Sequence, residues 1–377
     1  MQLTNFFIAK YSNILNKYRF IVVQHLMNDT LEFISYLRKY DVKIDALIVK
    51  PYSLDNDCAK IVEEMQLPLY RLVNSPERDG RMCEAILQEA SMRSAQDGKH
   101  IIILDLGGEY AEILSKGYEY VDVVVEDTAI GHRIYERYTY SENIIYSVAR
   151  SRMKGIEARF VGSTVAYSAE QIFRSIGKTL YAKRVLVIGY GLIGRNAAIT
   201  LQKMGCKVEV KDSKQVNELE AYFDGLEVCD KTAKYPDIIF GITGYKTVEF
   251  EDVSKFSDVT YLISGSSKQV EFDIKGLKEK ADKENRINDN ITCYEIKGKK
   301  FFLFYDGFPV NFLFKSIPDC IIDFMFAEMI VAIGQAMDNE IIKCNGVNYV
   351  DEDGINEISN TFLRKGLWGE KYGKKDF

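Results

Sequence analysis

Residues 184–212, RVLVIGYGLIGRNAAITLQKMGCKVEVKD, read as a strand, a tight turn, a helix and a second strand. Val185, Leu186, Val187 and Ile188 form the short apolar run of a buried parallel strand. The turn G-Y-G-L-I-G then sets Gly189, Gly191 and Gly194 at the spacing of a dinucleotide-binding fold. The first glycine permits the sharp turn, the second lets the backbone approach a pyrophosphate, and the third lets helix and strand pack closely. Leu192 and Ile193 lie between the last two and complete the cofactor-binding stretch. Residues 195–204 supply a helix whose N-terminal N–H groups and dipole favour phosphate, and Gly205 stops it. The next strand, 207–210, leads to Asp212, 18 residues after Gly194. An acidic side chain there accepts hydrogen bonds from the adenosine ribose and repels a 2′-phosphate, so the stretch predicts NAD rather than NADP.

The chain around this unit has 377 residues, too many for one ordinary core, so two domains are expected. Its 47% hydrophobic and 28% charged content is that of a globular protein. The net charge of −6 argues against nucleic acid or an anionic membrane as the main partner. No apolar run approaches the roughly 18 residues needed to cross a bilayer. The N-terminus, MQLTNFFIAKYSN, lacks the basic and apolar regions of a secretory signal. Seven scattered cysteines without a C-x-x-C suit reduced thiols and a cytoplasmic location. Three histidines without metal-ligand spacing predict no metal.

Outward from the glycine turn, strand and helix signals alternate on both sides. Before it, strands are expected at 19–23, 46–49, 100–104 and 121–125, with helices at 1–20, 29–39, 54–65, 80–95 and 111–116. A helix at 165–182 feeds the dinucleotide fold. After it come a helix at 216–223, strands at 237–241, 261–264 and 299–305, and an exposed helix and turn at 275–292. Residues 317–338 form a long helix, apolar on most sides but interrupted by Asp319, Asp323 and Glu328, and the last 30 residues are polar. The pattern predicts two doubly wound, parallel-sheet α/β domains of Rossmann type. The expected division is a substrate domain at 1–165 completed by 315–345, an NAD domain at 166–314, and a tail at 346–377, with the active site in the cleft between domains. His25 is expected just past its strand, where open α/β sheets place their ligands.

Several motifs, in chain order, resemble the S-adenosylhomocysteine hydrolase (adenosylhomocysteinase) family. Glu126-Asp127-Thr128-Ala129-Ile130-Gly131 is similar to its E-E-T-T-T-G, and GCKVEVKD followed by NELEAYFDGLEV resembles the strand and helix after its cofactor turn. Thr243-Gly244 is similar to its T-T-G, and SGSSKQVEFDIKGL to its N-x-G-H-F-D-x-E-I-D-x-x-x-L. Asp306-Gly307 with Val310-Asn311 resembles its E-G-x-x-V-N-L. The resemblance implies tightly held NAD that oxidises the 3′-hydroxyl of a nucleoside, so that the C4′ proton becomes acidic and the 5′ substituent can leave. It also implies that Asn311 and Thr128 bind the nicotinamide and that Thr243 and Gly244 join the cofactor site.

The chain departs from the family where hydrolysis needs proton transfer. His25 matches the histidine of L-H-M-T-x-E-T, and Asp127 is one methylene shorter than the second glutamate of E-E-T-T-T-G. Asp105 is retained in ILDLGGE, but Leu106 stands where the family has a second aspartate. In S-V-A-R-S-R-M-K-G, Arg150 replaces the lysine that takes the hydroxyl proton, and Lys154-Gly155 replaces Asp-Asn. Arginine cannot serve as a base near neutral pH. The histidine of G-H-F-D becomes Ser266 or Ser267, G-H-P is reduced to Ser316-Ile317-Pro318, and Lys371-Tyr372 is a weak echo of the family's cofactor-capping end.

The expected function is therefore NAD-dependent hydride transfer at a secondary hydroxyl of a nucleoside-like small molecule, in a homodimer or homotetramer. His25, Asp105, Asp127 and Arg150 are the candidate catalytic residues. Arg150, Arg152 and Lys154 form either a solvated face or a site for an anionic substrate group. S-adenosylhomocysteine hydrolysis is not expected. The alternatives are a catalytically retired NAD- or nucleoside-sensing protein, and a true hydrolase that uses unaligned residues.

Overall fold

The computed structural model describes residues 1–229, 235–266, 268–314 and 317–364; Ser267, Ser316 and the Lys371-Tyr372 pair lie outside them. The chain divides into two compact units, one of residues 1–155 with 318–377 and one of residues 156–317.

The first unit runs α1 (Gln2–Leu15), β1 (Arg19–Leu26), α2 (Asn28–Lys39), β2 (Lys43–Leu54), α3 (Asn56–Glu64), β3 (Leu69–Arg71) and α4 (Pro76–Asp97). It continues through β4 (Ile101–Asp105), α5 (Ala111–Leu114), β5 (Val121–Glu126), α6 (Ala129–Tyr135) and β6 (Ile144–Ser147). Helix α7 (Arg152–Ser175) carries the chain past the division between the units.

The second unit adds β7 (Arg184–Ile188), α8 (Leu192–Lys203), β8 (Lys207–Lys211), α9 (Gln215–Phe223), β9 (Glu227–Val228), β10 (Ile238–Gly241) and β11 (Val259–Ser264). It ends with α10 (Ile274–Lys280), β12 (Lys283–Asn288), β13 (Ile291–Ile296) and β14 (Lys299–Phe304). The chain then returns to the first unit as α11 (Asp319–Ala336), β15 (Val347–Asn348) and α12 (Glu352–Arg364).

Both sheets grow outward from a strand near the middle and then reverse. In the first unit the order is β15-β6-β5-β4-β1-β2-β3, and the pairs are parallel. Growth runs from β1 to β3 on one side and from β4 to β6 on the other, so the direction switches between β1 and β4. In the second unit the order is β12-β13-β14-β11-β10-β7-β8-β9, with the switch between β7 and β10. Loops leaving the carboxyl ends of strands at such a switch diverge and open a crevice for ligands.

The apolar runs fill the cores. Val185, Val187, Val208, Val210, Ile238 and Phe240 lie among the buried residues on one face of the second sheet, where Phe173 packs against Tyr261 and Phe304. Burying each such side chain stabilises the unit by roughly 1.5–3 kcal/mol. Helix α11 is buried from Met325 to Ala336, and its Asp323 accepts hydrogen bonds from the Leu3 and Thr4 backbone N–H groups at the start of α1. A carboxylate at that helix N-terminus satisfies N–H groups that have no partner within the helix. No described helix is long and apolar enough to cross a membrane.

Several expectations change: the helix expected at 165–182 runs from Arg152 to Ser175, and the expected tail carries β15 and α12. Residues 283–288 are a strand, not helix and turn. They pair antiparallel with β13, which pairs antiparallel with β14, so the second sheet is mixed at one edge. The sequence KENRIN has no apolar alternation because β12 is an edge strand with its residues largely in water. Strand β1 also extends through His25 to Leu26, because Leu26 pairs with Leu54 beyond an irregularity in β2.

Candidate functional site

The glycine turn sits at the switch point of the second sheet. Gly189 has φ +101°, and a Cβ there would come within 2.5 Å of the Ile242 carbonyl oxygen, so the turn and the end of β10 touch backbone to backbone. A Cβ on Gly194 would meet the Gly189 carbonyl oxygen at 1.9 Å, so this position closes the helix against the turn. Gly191 differs: a Cβ there would have open space around it. It is the N-cap of α8, no side chain caps that helix, and Leu192 beyond it is exposed. The first N–H groups of an uncapped helix are ready partners for an anion.

Asp212 follows β8, and its Oδ2 accepts from the Tyr190 backbone N–H at 2.6 Å while Oδ1 accepts from Lys214 N–H at 2.8 Å. The carboxylate is thereby fixed beside the glycine turn. Tyr190 and Arg195 both donate to Asp224, which ties the turn to the residue after α9.

Thr243 and Gly244 follow β10 and are held by a residue that motif reading did not single out. Glu271 is fully buried and accepts from the backbone N–H groups of Thr243 and Gly244, each at 2.6 Å. It also accepts from the hydroxyls of Thr243, Thr247 and Ser266. Asn311 lies in a single 3₁₀ turn, Val310–Phe312, just after Pro309 bridges to Ser264 at the end of β11. It is buried to 8% exposure.

In the first unit the corresponding switch point gathers titratable groups. Gln24 pairs with Val49 and Leu26 with Leu54, so His25 alone faces the four residues Lys50 to Ser53. Two side chains of that stretch, Tyr52 and Ser53, lie against the imidazole. Ser53 Oγ is 2.5 Å from His25 Nδ1, the Tyr52 ring centroid is 5.9 Å away, and burial together with the charges of Lys50 and Lys154 pushes the His25 pKa down to about 3. His25 is therefore neutral at pH 7. Lys50 is buried and donates to Glu109 at 2.6 Å; Lys154, at the start of α7, donates to Asp127 at 2.9 Å.

The other candidates in this unit hold the fold together. Asp105 is fully buried and accepts from the N–H groups of Leu106, Glu109 and Tyr110 and from the Tyr135 hydroxyl. Burial, then the nearby Glu109 charge, raises its pKa. Glu126 accepts from Gly107, Gly108 and Thr128 N–H and from the Thr128 hydroxyl; burial, then Asp105, raises its pKa to about 8. The Thr128 hydroxyl also accepts from Gly131 N–H as the N-cap of α6. Arg150 is half exposed and pairs with Glu136 at 3.3 Å. His132 is fully buried, with Nδ1 3.0 Å from Ser147 Oγ.

The fold and its glycine turn define a dinucleotide-binding α/β protein with two doubly wound units. Residues 167–315 match the model of the S-adenosyl-L-homocysteine hydrolase, NAD binding domain. An adenosylhomocysteinase of Sulfurisphaera tokodaii is 31% identical over 45% of this chain and 42% of its own length. The adenosylhomocysteinase of Thermotoga maritima is 26% identical over 84% of this chain and 79% of its own. An S-inosyl-L-homocysteine hydrolase of Methanocaldococcus jannaschii is 29% identical over 45% and 41%. The first and third matches thus span less than half the length of the relatives concerned. The chain is thus similar to the S-adenosyl-L-homocysteine hydrolase family, with residues 167–315 matching its NAD binding domain, and NAD is the cofactor of that domain. The residues present fit that cofactor: an open Gly191 before an uncapped helix suits a pyrophosphate, and Asp212 suits an unphosphorylated ribose.

Proposed function

We propose that this chain uses NAD held at Gly189, Gly191, Leu192, Ile193, Gly194, Asp212, Thr243, Gly244 and Asn311 to exchange a hydride with a secondary hydroxyl of a nucleoside-like small molecule. When bound, NAD supplies the hydride acceptor. The substrate lies over the strand ends of the first unit, where His25, Lys154 and Asp127 orient its hydroxyl. The observation that carries this reading is the Lys154–Asp127 pair, whose lysine charge acts on the neutral imidazole of His25 at the end of β1, beside a topological switch point. Lys154 takes the part first expected of Arg150. Its ammonium donates to the substrate oxygen and stabilises the negative charge that gathers there as the proton leaves, while Asp127 holds the ammonium in place. His25, uncharged, takes the hydroxyl proton as the carbon gives up its hydride, so that proton and hydride each have an acceptor. Lys50, in the irregular stretch of β2, and Glu109 form a second pair in the same unit.

Hydrolysis of S-adenosylhomocysteine is not part of this proposal. It needs further acid–base groups for the C4′ proton and the leaving group, and Asp105 is already engaged by four donors. The same engagement supports a second reading, in which the chain binds NAD and a nucleoside and signals their presence without turnover. Denaturing freshly purified protein and identifying the released small molecules by mass spectrometry separates the two. A mixture of NAD with NADH, or a nucleoside accompanied by its keto form, supports the enzyme. Oxidised NAD alone with an unaltered nucleoside supports the sensor, and no dinucleotide at all would remove both.

A further inference from the structure

The segment of β2 opposite His25 carries a device that the cofactor and the charge pairs leave unexplained. Lys50 to Ser53 occupy a stretch of β2 that faces a single residue of β1. An insertion of this length in a parallel ladder leaves backbone groups without ladder partners, so it persists where it aims side chains. Here Ser53 is buried to 2% exposure, with its hydroxyl on Nδ1 of His25. The backbone of His25 is fixed at the same time, because its N–H donates to the Gln24 side chain and its carbonyl oxygen accepts from the Thr30 hydroxyl. A ring anchored at its backbone and at one nitrogen has a single orientation, and the direction of the bond at that nitrogen decides its tautomer.

We propose that Ser53 is a positioning residue, accepting a hydrogen bond from His25 Nδ1–H so that Nε2 carries the lone pair that works on the substrate. Ser53 does not touch the reacting atoms; it acts through His25. The proposal rests on the function proposed above, with His25 as the group that receives the substrate hydroxyl. The burial and the two lysines that keep His25 neutral act in the same direction, since a neutral ring has one nitrogen bearing a proton and one that accepts.

The test uses the full chain and two variants, Ser53→Ala and Ser53→Thr, with ring ¹⁵N spectra recorded in the presence of NAD. The chain has three histidines, so the His25 signals are assignable by comparison with His25→Gln. The expected wild-type result is a protonated Nδ1 and an unprotonated Nε2, unchanged between pH 5.5 and 8. Ser53→Ala is expected to give mixed tautomers, and Ser53→Thr to restore the single one. In a parallel assay with adenosine as the probe, NADH formation in Ser53→Ala is expected to slow on the order of tenfold to a hundredfold, with little change in KM. A wild-type ring protonated at Nε2, or a tautomer indifferent to Ser53→Ala in a folded variant, overturns the proposal. Correct tautomers in protein that forms no NADH leave the positioning intact and count against the function it serves.

Discussion

The Lys154 ammonium lies 2.9 Å from the Asp127 carboxylate, both side chains largely withdrawn from water, while Arg150 pairs with Glu136 in a half-exposed position. The two basic residues are four apart in sequence, yet only Lys154 also lowers the His25 pKa by its charge. Lys154→Met is therefore expected to cut adenosine-dependent NADH formation by a factor on the order of a hundred or more. It leaves Asp127 without its ammonium, at a stability cost of roughly 1–3 kcal/mol. Arg150→Gln removes a half-exposed ion pair and is expected to change the rate less than about threefold. Parallel single-turnover assays and urea unfolding of the two variants check the contrast; equal losses in both would count against it.

The three glycines of the turn make a graded prediction. Gly194→Ala forces a Cβ against the Gly189 carbonyl oxygen and is expected to unfold the second unit or displace α8. Gly191→Ala adds a methyl group in open space at an ordinary φ of −78°, so the fold is expected to survive. What it fills is the approach to the uncapped helix. The expected result is a melting temperature close to wild type without NAD, and little or no rise when NAD is added. Differential scanning calorimetry with and without cofactor reads both effects.

In the proposed function, Asp212 sets the choice of cofactor through its charge. Asp212→Asn keeps an acceptor for Tyr190 N–H but loses the negative charge. A hydrogen bond to a charged group contributes roughly 1.5–3 kcal/mol, so NAD affinity is expected to fall about ten- to a hundredfold. NADP binding is expected to improve relative to NAD, because the repulsion of a 2′-phosphate is gone. Isothermal titration of both dinucleotides gives the ratio directly.

The depressed pKa of His25 predicts a pH dependence of stability with a definite sign. Its folded value, about 3, lies below the ordinary 6.5, so the unfolded chain binds a proton more readily than the native one. The stability this represents is fully present above pH 6.5 and is lost as pH falls toward 3. Glu126 acts in the opposite sense, with a folded pKa of about 8 against 4.5, and removes stability as pH rises between those values. His25→Gln is therefore expected to flatten the loss of stability between pH 6.5 and 4 while leaving the limb above pH 7 in place. Chemical denaturation at a series of pH values separates the two limbs.

The parts of the fold that were legible in sequence are those where local chemistry and tertiary packing agree. The run of Val185 to Ile188, three glycines and Asp212 each satisfy a local requirement that is also the global one. Strand β12 was not legible, because KENRIN forms an edge exposed to water and carries no period. Helix α12 was hidden in a polar tail whose apolar face, including the fully buried Ile358, is sparse. The site was legible only as separate motifs. His25 and Asp127 stand out by type and position, but Ser53, Lys50 and Lys154 join them through a strand irregularity and a helix start that no spacing announces. Glu271 and Glu126 are buried acceptors for turn backbone, and a glutamate in a charged sequence gives no sign of that role.

The most direct test of the account is to mix NAD-loaded protein with adenosine under single-turnover conditions and follow absorbance at 340 nm. Matched samples contain 3′-deoxyadenosine and 2′-deoxyadenosine. The account predicts NADH with adenosine and 2′-deoxyadenosine, none with 3′-deoxyadenosine, and a strongly reduced signal in Lys154→Met. Tight binding of adenosine with no NADH from any nucleoside would contradict it and leave a protein that holds NAD without using it.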